Sequence, residues 1–199
     1  EGGLNETHSI LQRMRELAVQ AASDTNTSKT GTAPNEVDGD RDEIQKEIEQ
    51  LTKEIERIAT DTQFNTMNLL DNTFSGKKFQ VGANANQTVT LTIGSMNDNA
   101  LSLGTVNATT GAITGGINLA NQISASSAIT TIDNAIRKVS SERAKLGAMQ
   151  NRLEHTINNI NTTSENLTAS ESRVRDVDMA KEMMEFTKNS ILQQAATAM

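Results

Sequence analysis

Branched aliphatic residues recur at every seventh position over residues 132–174. The seven positions are Ile132, Val139, Leu146, Leu153, Ile160, Leu167 and Val174. A seven-residue apolar repeat predicts one long helix whose apolar seam packs against partner helices. No proline interrupts the run, and its only glycine is Gly147. At 1.5 Å per residue the seam measures roughly 60–65 Å, whereas a compact chain of this size has a radius of gyration of about 18 Å. The repeat therefore predicts an elongated molecule.

Two shorter amphipathic helices precede the long one. The first is predicted from residue 4 to about residue 24, and the second from about 40 to 60. Their apolar stripes comprise Leu4, Leu11, Met14, Ala18 and Ala21 in the first helix and Ile44, Ile48, Leu51, Ile55 and Ile58 in the second. A polar loop over residues 24–39 contains the only proline, Pro34, and joins them as a helical hairpin.

The helical hairpin is too short to cover the whole seam of the long helix. Two helices of about 20 residues lying side by side can cover only about 20–25 residues of it, roughly Ile129 to Leu153. We therefore expect Ile160, Leu167 and Val174 to lack a partner within this chain, and to fray or to pair with a neighbouring molecule.

The middle of the chain has strand-like rather than helical patterning. Val89, Leu91 and Ile93 alternate with threonines, which predicts a half-buried strand, and Phe79 and Val81 precede a turn-like stretch. Apolar residues of the stretch before it are predicted to plug the core; they are Phe64, Met67, Leu69 and Leu70. Residues 104–128 are rich in Gly, Ser, Thr, Ala and Asn, which indicates loops or short strands. The long helix is predicted to begin near Ser127 or Ile129.

The seven-residue ladder slips after Val174, where Asp176 and Asp178 are candidate N-caps of a further helix. The predicted fold class is mainly α: an elongated antiparallel bundle of two shorter helices against one long helix, with a small β-hairpin region. The predicted segments are 1–62 (two core helices), 63–128 (β-hairpin and short variable stretch), 129–175 (long helix) and 176–199 (a terminal helix).

Composition excludes several classes of function. The net charge is -7, which gives no electrostatic reason to bind nucleic acid or an anionic membrane, and no apolar run is long enough for membrane insertion. The chain has no Trp or Tyr and four Phe, so thin helix–helix seams are expected rather than a thick core with a ligand pocket.

Candidate catalytic and metal-binding residues are few. Asp38, Asp40 and Asp42 resemble the start of a calcium loop, but Glu43 occupies the position that requires glycine. Acidic residues that cap the second helix are the favoured interpretation. His8 and His155, the only histidines, lack any second ligand at metal-binding spacing. We therefore predict no enzyme activity, no catalytic residues, no cofactor and no metal.

Polar residues on two helices are candidate contact sites. Arg143 and Gln150 lie on an apolar stripe of the long helix, where polar groups commonly fix register or bridge to another subunit. The candidates for subunit contact are Arg15, Arg143, Gln150 and Arg152. Methionines 179, 183 and 184 form either an adaptable partner-binding face or a core face whose partner lies elsewhere.

Several long stretches resemble bacterial flagellin. They are LQRMRELAVQAA (11–22), TQFNTMNLL (62–70), FQVGANA (79–85), RAKLGAMQNRLEHTINNI (143–160) and ENLTASESRVRDVDMAKEMMEFTKNSILQQA (165–195). The resemblance covers the chain except residues 24–38 and 94–128, and flagellins vary most in length in the second of these stretches. It implies a structural subunit of the flagellar filament, active in motility and associating with other flagellin subunits. In such a subunit residues 176–199 are expected to be the start of the C-terminal helix of the inner tube.

The resemblance also implies a location and a second partner. Flagellins are exported by the flagellar secretion system without a cleaved signal peptide and lie outside the cell. Their chains extend beyond both ends of this sequence, so this piece is not expected to form filaments by itself. Animals recognise flagellin through Toll-like receptor 5, an innate immune receptor.

The receptor-contacting positions of the family fall on the first helix, with support from the other two. They match Gln12, Arg13, Glu16, Leu17, Gln20, Glu47 and Ile132. We expect Arg13 to be the centre, because one long guanidinium on a rigid helix makes several hydrogen bonds. Leu51 departs from the pattern, since some recognised flagellins carry Arg there.

Two rival interpretations remain open. A hook–filament junction protein shares flagellin-like helices, although the stretches around residues 149–159 and 178–188 fit flagellin better. A coiled-coil secretion or adhesion protein would require only the heptad repeat, and not the flagellin-like sequence of the predicted β-hairpin.

Overall fold

A computed structural model describes residues 1–26, 39–107, 109–175 and 179–198. The helices are α1 (Gly2–Ala21), α2 (Asp40–Asp61), α3 (Gln122–Arg175) and α4 (Met179–Ala198). Three antiparallel strand pairs lie between α2 and α3. They are β1 (Gln63–Phe64) with β2 (Met67–Asn68), β3 (Lys77–Gln80) with β4 (Thr88–Leu91), and β5 (Thr105–Val106) with β6 (Ile113–Thr114). The predicted class, mainly helical with one long helix and small antiparallel strands, is confirmed.

The chain divides into two compact units, residues 1–150 and 151–199, and the division falls inside α3. In the first unit, polar contacts show the directions in which the helices run. Arg13 of α1 meets Glu47 of α2, and Arg41 at the start of α2 donates from Nε to the carbonyl of Ala21 at 2.9 Å. Low numbers on α1 therefore face high numbers on α2, so these two helices run antiparallel.

The third helix also runs antiparallel to α1. Glu1 at the start of α1 contacts Gln150, whereas Arg15, further along α1, contacts the earlier residue Asp133 of α3. This three-helix arrangement buries the stripes predicted from the sequence. The largest fully buried helical side chains include Leu4, Leu11, Met14, Ile48, Ile55, Ile132 and Val139. Apolar burial of this kind stabilises each helix by about 1.5–3 kcal/mol per large side chain.

The long helix begins earlier than the sequence pattern suggests, at Gln122 rather than near residue 127 or 129. Asn121 caps it, because the side-chain Oδ1 accepts a hydrogen bond from the backbone N–H of Ser124 at 2.8 Å. The added turns pack through Ala125 and Ala128, both buried. Small residues carry no strong hydrophobic signal, so the early start was missed.

Two of the predicted core plugs are wrong. Phe64 and Met67 face each other across the β1–β2 turn and stay 68% and 37% exposed. The prediction is right for Leu70, which is buried, and the core is also closed by Phe74, which the sequence pattern did not single out. Hydrogen bonds hold this segment on the residues that follow β4, since the N–H of Ile93 donates to the carbonyl of Phe74 at 3.1 Å and that of Met96 to the carbonyl of Leu70 at 2.8 Å.

The predicted hairpin is present as β3 and β4, with Phe79 opposite Val89. Along β4 the threonines are exposed while Val89 and Leu91 are partly buried, which is the alternation expected of a half-buried strand. Of the proposed cap residues, Asp42 accepts a hydrogen bond from the N–H of Gly39 at 3.0 Å, as capping requires. Asp38, Asp176 and Asp178 lie outside the described residues.

Gly147 gives a stability prediction. It lies inside α3, and a Cβ built on it meets nothing within 4 Å. We expect Gly147→Ala to raise the free energy of unfolding by about 0.5–1 kcal/mol, because alanine loses less backbone entropy in a helix. Urea denaturation followed by circular dichroism measures the change. The matched control is Ala148→Gly at the exposed neighbouring position, which should lower stability by a similar amount; equal midpoints for the two variants would contradict the prediction.

Candidate interaction surfaces

The outward face of α1 carries a row of polar side chains. The apolar side chains of Leu11, Met14 and Ala18 are buried in the core, so the polar side chains at the positions between them point away from it. Four of the predicted receptor-contact residues lie on this exposed face: Gln12, Arg13, Glu16 and Gln20. Spacings of one, three and four residues place them along about two turns of one helix side.

Arg13 is held in a defined orientation by two carboxylates. Its Nε and Nη2 both donate to Oε1 of Glu47 on α2, at 3.0 and 2.9 Å. Its Nη1 lies 3.5 Å from Oε2 of Glu16. The hydrogen bonds and charge of Glu47 raise the pKa of Arg13 further above its usual range, so the guanidinium stays cationic. About half of its side chain remains exposed for another partner.

A shallow groove of about 550 Å³ runs between α1 and α2 beside this arginine. The residues that line it are Arg13, Leu17, Gln20, Glu43, Ile44, Lys46, Glu47 and Gln50. Glu43 and Lys46 pair with each other at 2.9 Å on its rim. The groove combines an apolar floor with charged edges, a combination typical of protein-binding surfaces.

Two of the predicted receptor contacts are not on the surface. Leu17 is 2% exposed and Ile132 is 0% exposed, both in the core of the first unit. Ile132 is also the first member of the seven-residue ladder, and that pattern alone predicts burial. Any contribution of these two residues to recognition therefore comes from holding the helices together.

The candidates for subunit contact have different surroundings. Arg15 is engaged within the chain, since its Nε donates to Oδ1 of Asp133 at 2.7 Å. Arg143 is partly buried, and its Nε has no hydrogen-bond partner. Gln150 is exposed and lies 3.5 Å from Oε2 of Glu1. Arg152, in the second unit, is exposed.

A larger apolar surface lies in the second unit. Its α3 residues Ile160, Leu167 and Val174 are 40%, 65% and 90% exposed, as the lack of a partner helix predicts. Further exposed apolar side chains follow on α4: Met179, Met183, Met184, Phe186, Ile191 and Leu192. Soluble monomers rarely expose so many large apolar groups, so these faces indicate association with other protein surfaces.

Sequence reasoning missed the partners that orient the arginines. Asp133 lies 118 residues from Arg15, and nothing local in the sequence connects the two.

Among the described residues there is no group of His, Cys, Asp or Glu arranged to hold a metal ion. None of the described helices is long and apolar enough to cross a membrane.

Comparison with known proteins gives matches along the whole chain. The bacterial flagellin N-terminal helical region matches residues 1–75, and the bacterial flagellin C-terminal helical region matches residues 129–199. Flagellin from Halalkalibacterium halodurans is 48% identical over 100% of this chain and 66% of its own length. Flagellin from Bacillus subtilis is 47% identical over 100% of this chain and 70% of its own length. The chain thus spans about two thirds of these relatives.

The fold is also similar to a solved structure. The crystal structure of Bacillus cereus flagellin matches with a TM-score of 0.57 and 32% sequence identity, covering 85% of this chain and 86% of that one.

Proposed function

Because this chain belongs to the bacterial flagellin family, we propose that it is part of a structural subunit of the flagellar filament and serves motility. The observation that carries the proposal is the 48% sequence identity to the flagellin of Halalkalibacterium halodurans over the full chain. The exposed apolar side chains of residues 157–174 and 179–192 support it, because an assembling subunit needs surfaces that only neighbouring subunits cover. The subunit would reach its site outside the cell through the flagellar secretion system.

Complementation tests this proposal. The full-length protein that contains this chain is expressed in a flagellin-deficient Bacillus subtilis strain, and sheared filaments are imaged by electron microscopy. Restored swimming and long filaments are expected. Short caps confined to the hook end would instead favour the junction-protein alternative, and an expressed protein that leaves cells without filaments would overturn the proposal.

We further propose that the outward face of α1 is recognised by Toll-like receptor 5. The positions come from family resemblance, and the structure supports the proposal by exposing Gln12, Arg13, Glu16 and Gln20 on one face. Arg13 carries most of the expected binding energy. A pre-oriented arginine loses little side-chain freedom on binding, which is how an exposed residue becomes a binding hot spot. Titration of the purified chain against the receptor ectodomain measures the affinity directly, and absence of binding by the folded chain would refute this second proposal.

Glu47 should act on recognition through Arg13. We expect Glu47→Gln to weaken receptor signalling about 2- to 10-fold, because the neutral amide holds the guanidinium less firmly than a carboxylate does. The matched control is Glu54→Gln, two turns later on α2 and outside the groove, where the carboxylate pairs with Arg57 instead. A reporter-cell dose response compares the two, and equal potencies of both variants would contradict the role assigned to Glu47.

A further inference from the structure

Two carboxyl groups meet where α2 packs against the segment of residues 97–107, here named the Asp98 loop. Asp98 is 3% exposed, and its backbone N–H donates to Oε2 of Glu56 on α2 at 3.3 Å. The Asp98 side chain closes the loop on itself. Its Oδ1 accepts from the N–H of Asn99, and its Oδ2 accepts from the N–H of Val106, each at 2.5 Å.

The Asp98 loop connects two helices of the bundle. Leu101 and Leu103, each 1% exposed, insert into the core from the loop. The carbonyl of Ala100 accepts a hydrogen bond from Nζ of Lys138 on α3 at 2.8 Å. A change in how firmly the loop is held on α2 therefore reaches the packing between α2 and α3.

The two carboxyl groups interact unfavourably when both are ionised. Burial and the negative charge of Asp98 raise the pKa of Glu56 above its usual range, and they outweigh the hydrogen bond from the Asp98 N–H, which favours the ionised form. Both carboxyl oxygens of Asp98 already accept backbone N–H groups, and the raised pKa belongs to Glu56, so Glu56 is the member that takes up a proton.

The neighbouring cations do not remove this repulsion. Arg57, next to Glu56 on α2, is engaged by Glu54 at 2.5 Å and Asp61 at 3.1 Å. Lys138 of α3 is bonded to the loop carbonyl. Lys53 lies one turn before Glu56 on α2. Asp98, and not this lysine, is the charged residue that shifts the pKa of Glu56.

We propose that Glu56 and Asp98 form an acid-strengthened latch between α2 and the Asp98 loop. When Glu56 takes up a proton from solvent, its carboxyl O–H donates a hydrogen bond to the Asp98 carboxylate and fastens the loop to α2. When Glu56 is ionised, the two negative charges repel each other and the loop is held less firmly.

The direction of the pH effect follows from linkage. A carboxyl group with a raised pKa in the folded state stabilises the fold below the usual glutamate pKa, and this stabilisation is lost as pH rises through the raised value. The latch is therefore closed in mild acid and loosened toward neutral pH.

Thermal unfolding of the wild-type chain and Glu56→Gln at about pH 4 and about pH 7 tests the latch. Glutamine donates to Asp98 at every pH, so it imitates the protonated state. At about pH 4 the two proteins should unfold at similar temperatures, and at about pH 7 the variant should unfold about 2–4 °C higher. The proposal would be overturned if the unfolding temperatures of the variant and the wild type differed by the same amount at both pH values, or if the variant were the less stable protein at pH 7.

Glu54→Gln is the matched control because its carboxylate has the opposite environment. The hydrogen bond from Arg57 lowers the pKa of Glu54, so this substitution should not raise the unfolding temperature at neutral pH.

A second measurement does not depend on any variant. Carbon-13 NMR titration of the wild-type chain should show the Glu56 carboxyl ionising above its usual pKa, with the Val106 amide shift changing in parallel. Ionisation at or below the usual value would overturn the latch.

Discussion

Replacing Ile132 with alanine is expected to lower the free energy of unfolding by about 2–5 kcal/mol. The side chain is completely buried in the first unit, so the truncation removes apolar contacts and leaves a cavity among packed helices. Urea denaturation followed by circular dichroism measures the loss. The matched control is Ile123→Ala on the same helix, where the side chain is 76% exposed and the cost should stay below about 0.5 kcal/mol.

This prediction also decides what Ile132 does. Family resemblance assigns it to the receptor surface, whereas its burial assigns it to the core. If Ile132→Ala left stability unchanged while weakening receptor binding, the core assignment would be wrong.

Replacing Arg13 with alanine is expected to weaken activation of Toll-like receptor 5 about 5- to 100-fold, which corresponds to ~1–3 kcal/mol. The variant loses the guanidinium that α2 holds in position, while the fold loses only an exposed ion pair, which adds little to stability. Potency in receptor-reporter cells measures the effect, and circular dichroism confirms that the variant is folded.

Arg15→Ala supplies the matched control for Arg13. It removes the same side chain two residues away, from a position that points toward Asp133 on α3. Its potency should stay within about twofold of the wild type. Equal losses in both variants would show that recognition depends on the general charge of α1, and the assignment of Arg13 as the centre would fail.

The helical bundle could be predicted from the sequence because its information is local and periodic. Ile48, Ile132 and Val139 are buried where the apolar repeats place them. The exposed end of the ladder, including Leu167 and Val174, follows from counting the residues that two short helices can cover. The start of α3 could not be placed, since alanines and serines there fit a loop or a helix equally well.

The candidate surface was partly predictable. Burial of Leu11 and Met14 leaves Gln12 and Arg13 on the opposite face of α1, which helical periodicity alone indicates. The contact between Arg13 and Glu47 spans 34 residues and depends on how α1 and α2 pack. The Glu56–Asp98 pair has the same character, because it forms only when the Asp98 loop folds onto α2. Contacts of this kind leave no periodic signal.

The central claim is that this chain belongs to a subunit of an extracellular filament, and cysteine labelling tests it most directly. The sequence contains no cysteine, so one introduced at the exposed Thr109 is the only thiol in this chain that a maleimide dye can label. Full-length protein carrying Thr109→Cys is expressed in flagellin-deficient Bacillus subtilis, and living cells are labelled and imaged. The account predicts long fluorescent filaments on labelled cells and none in the strain whose full-length protein keeps Thr109. Fluorescence confined to single points at the cell surface, or released into the medium without filaments, would contradict it.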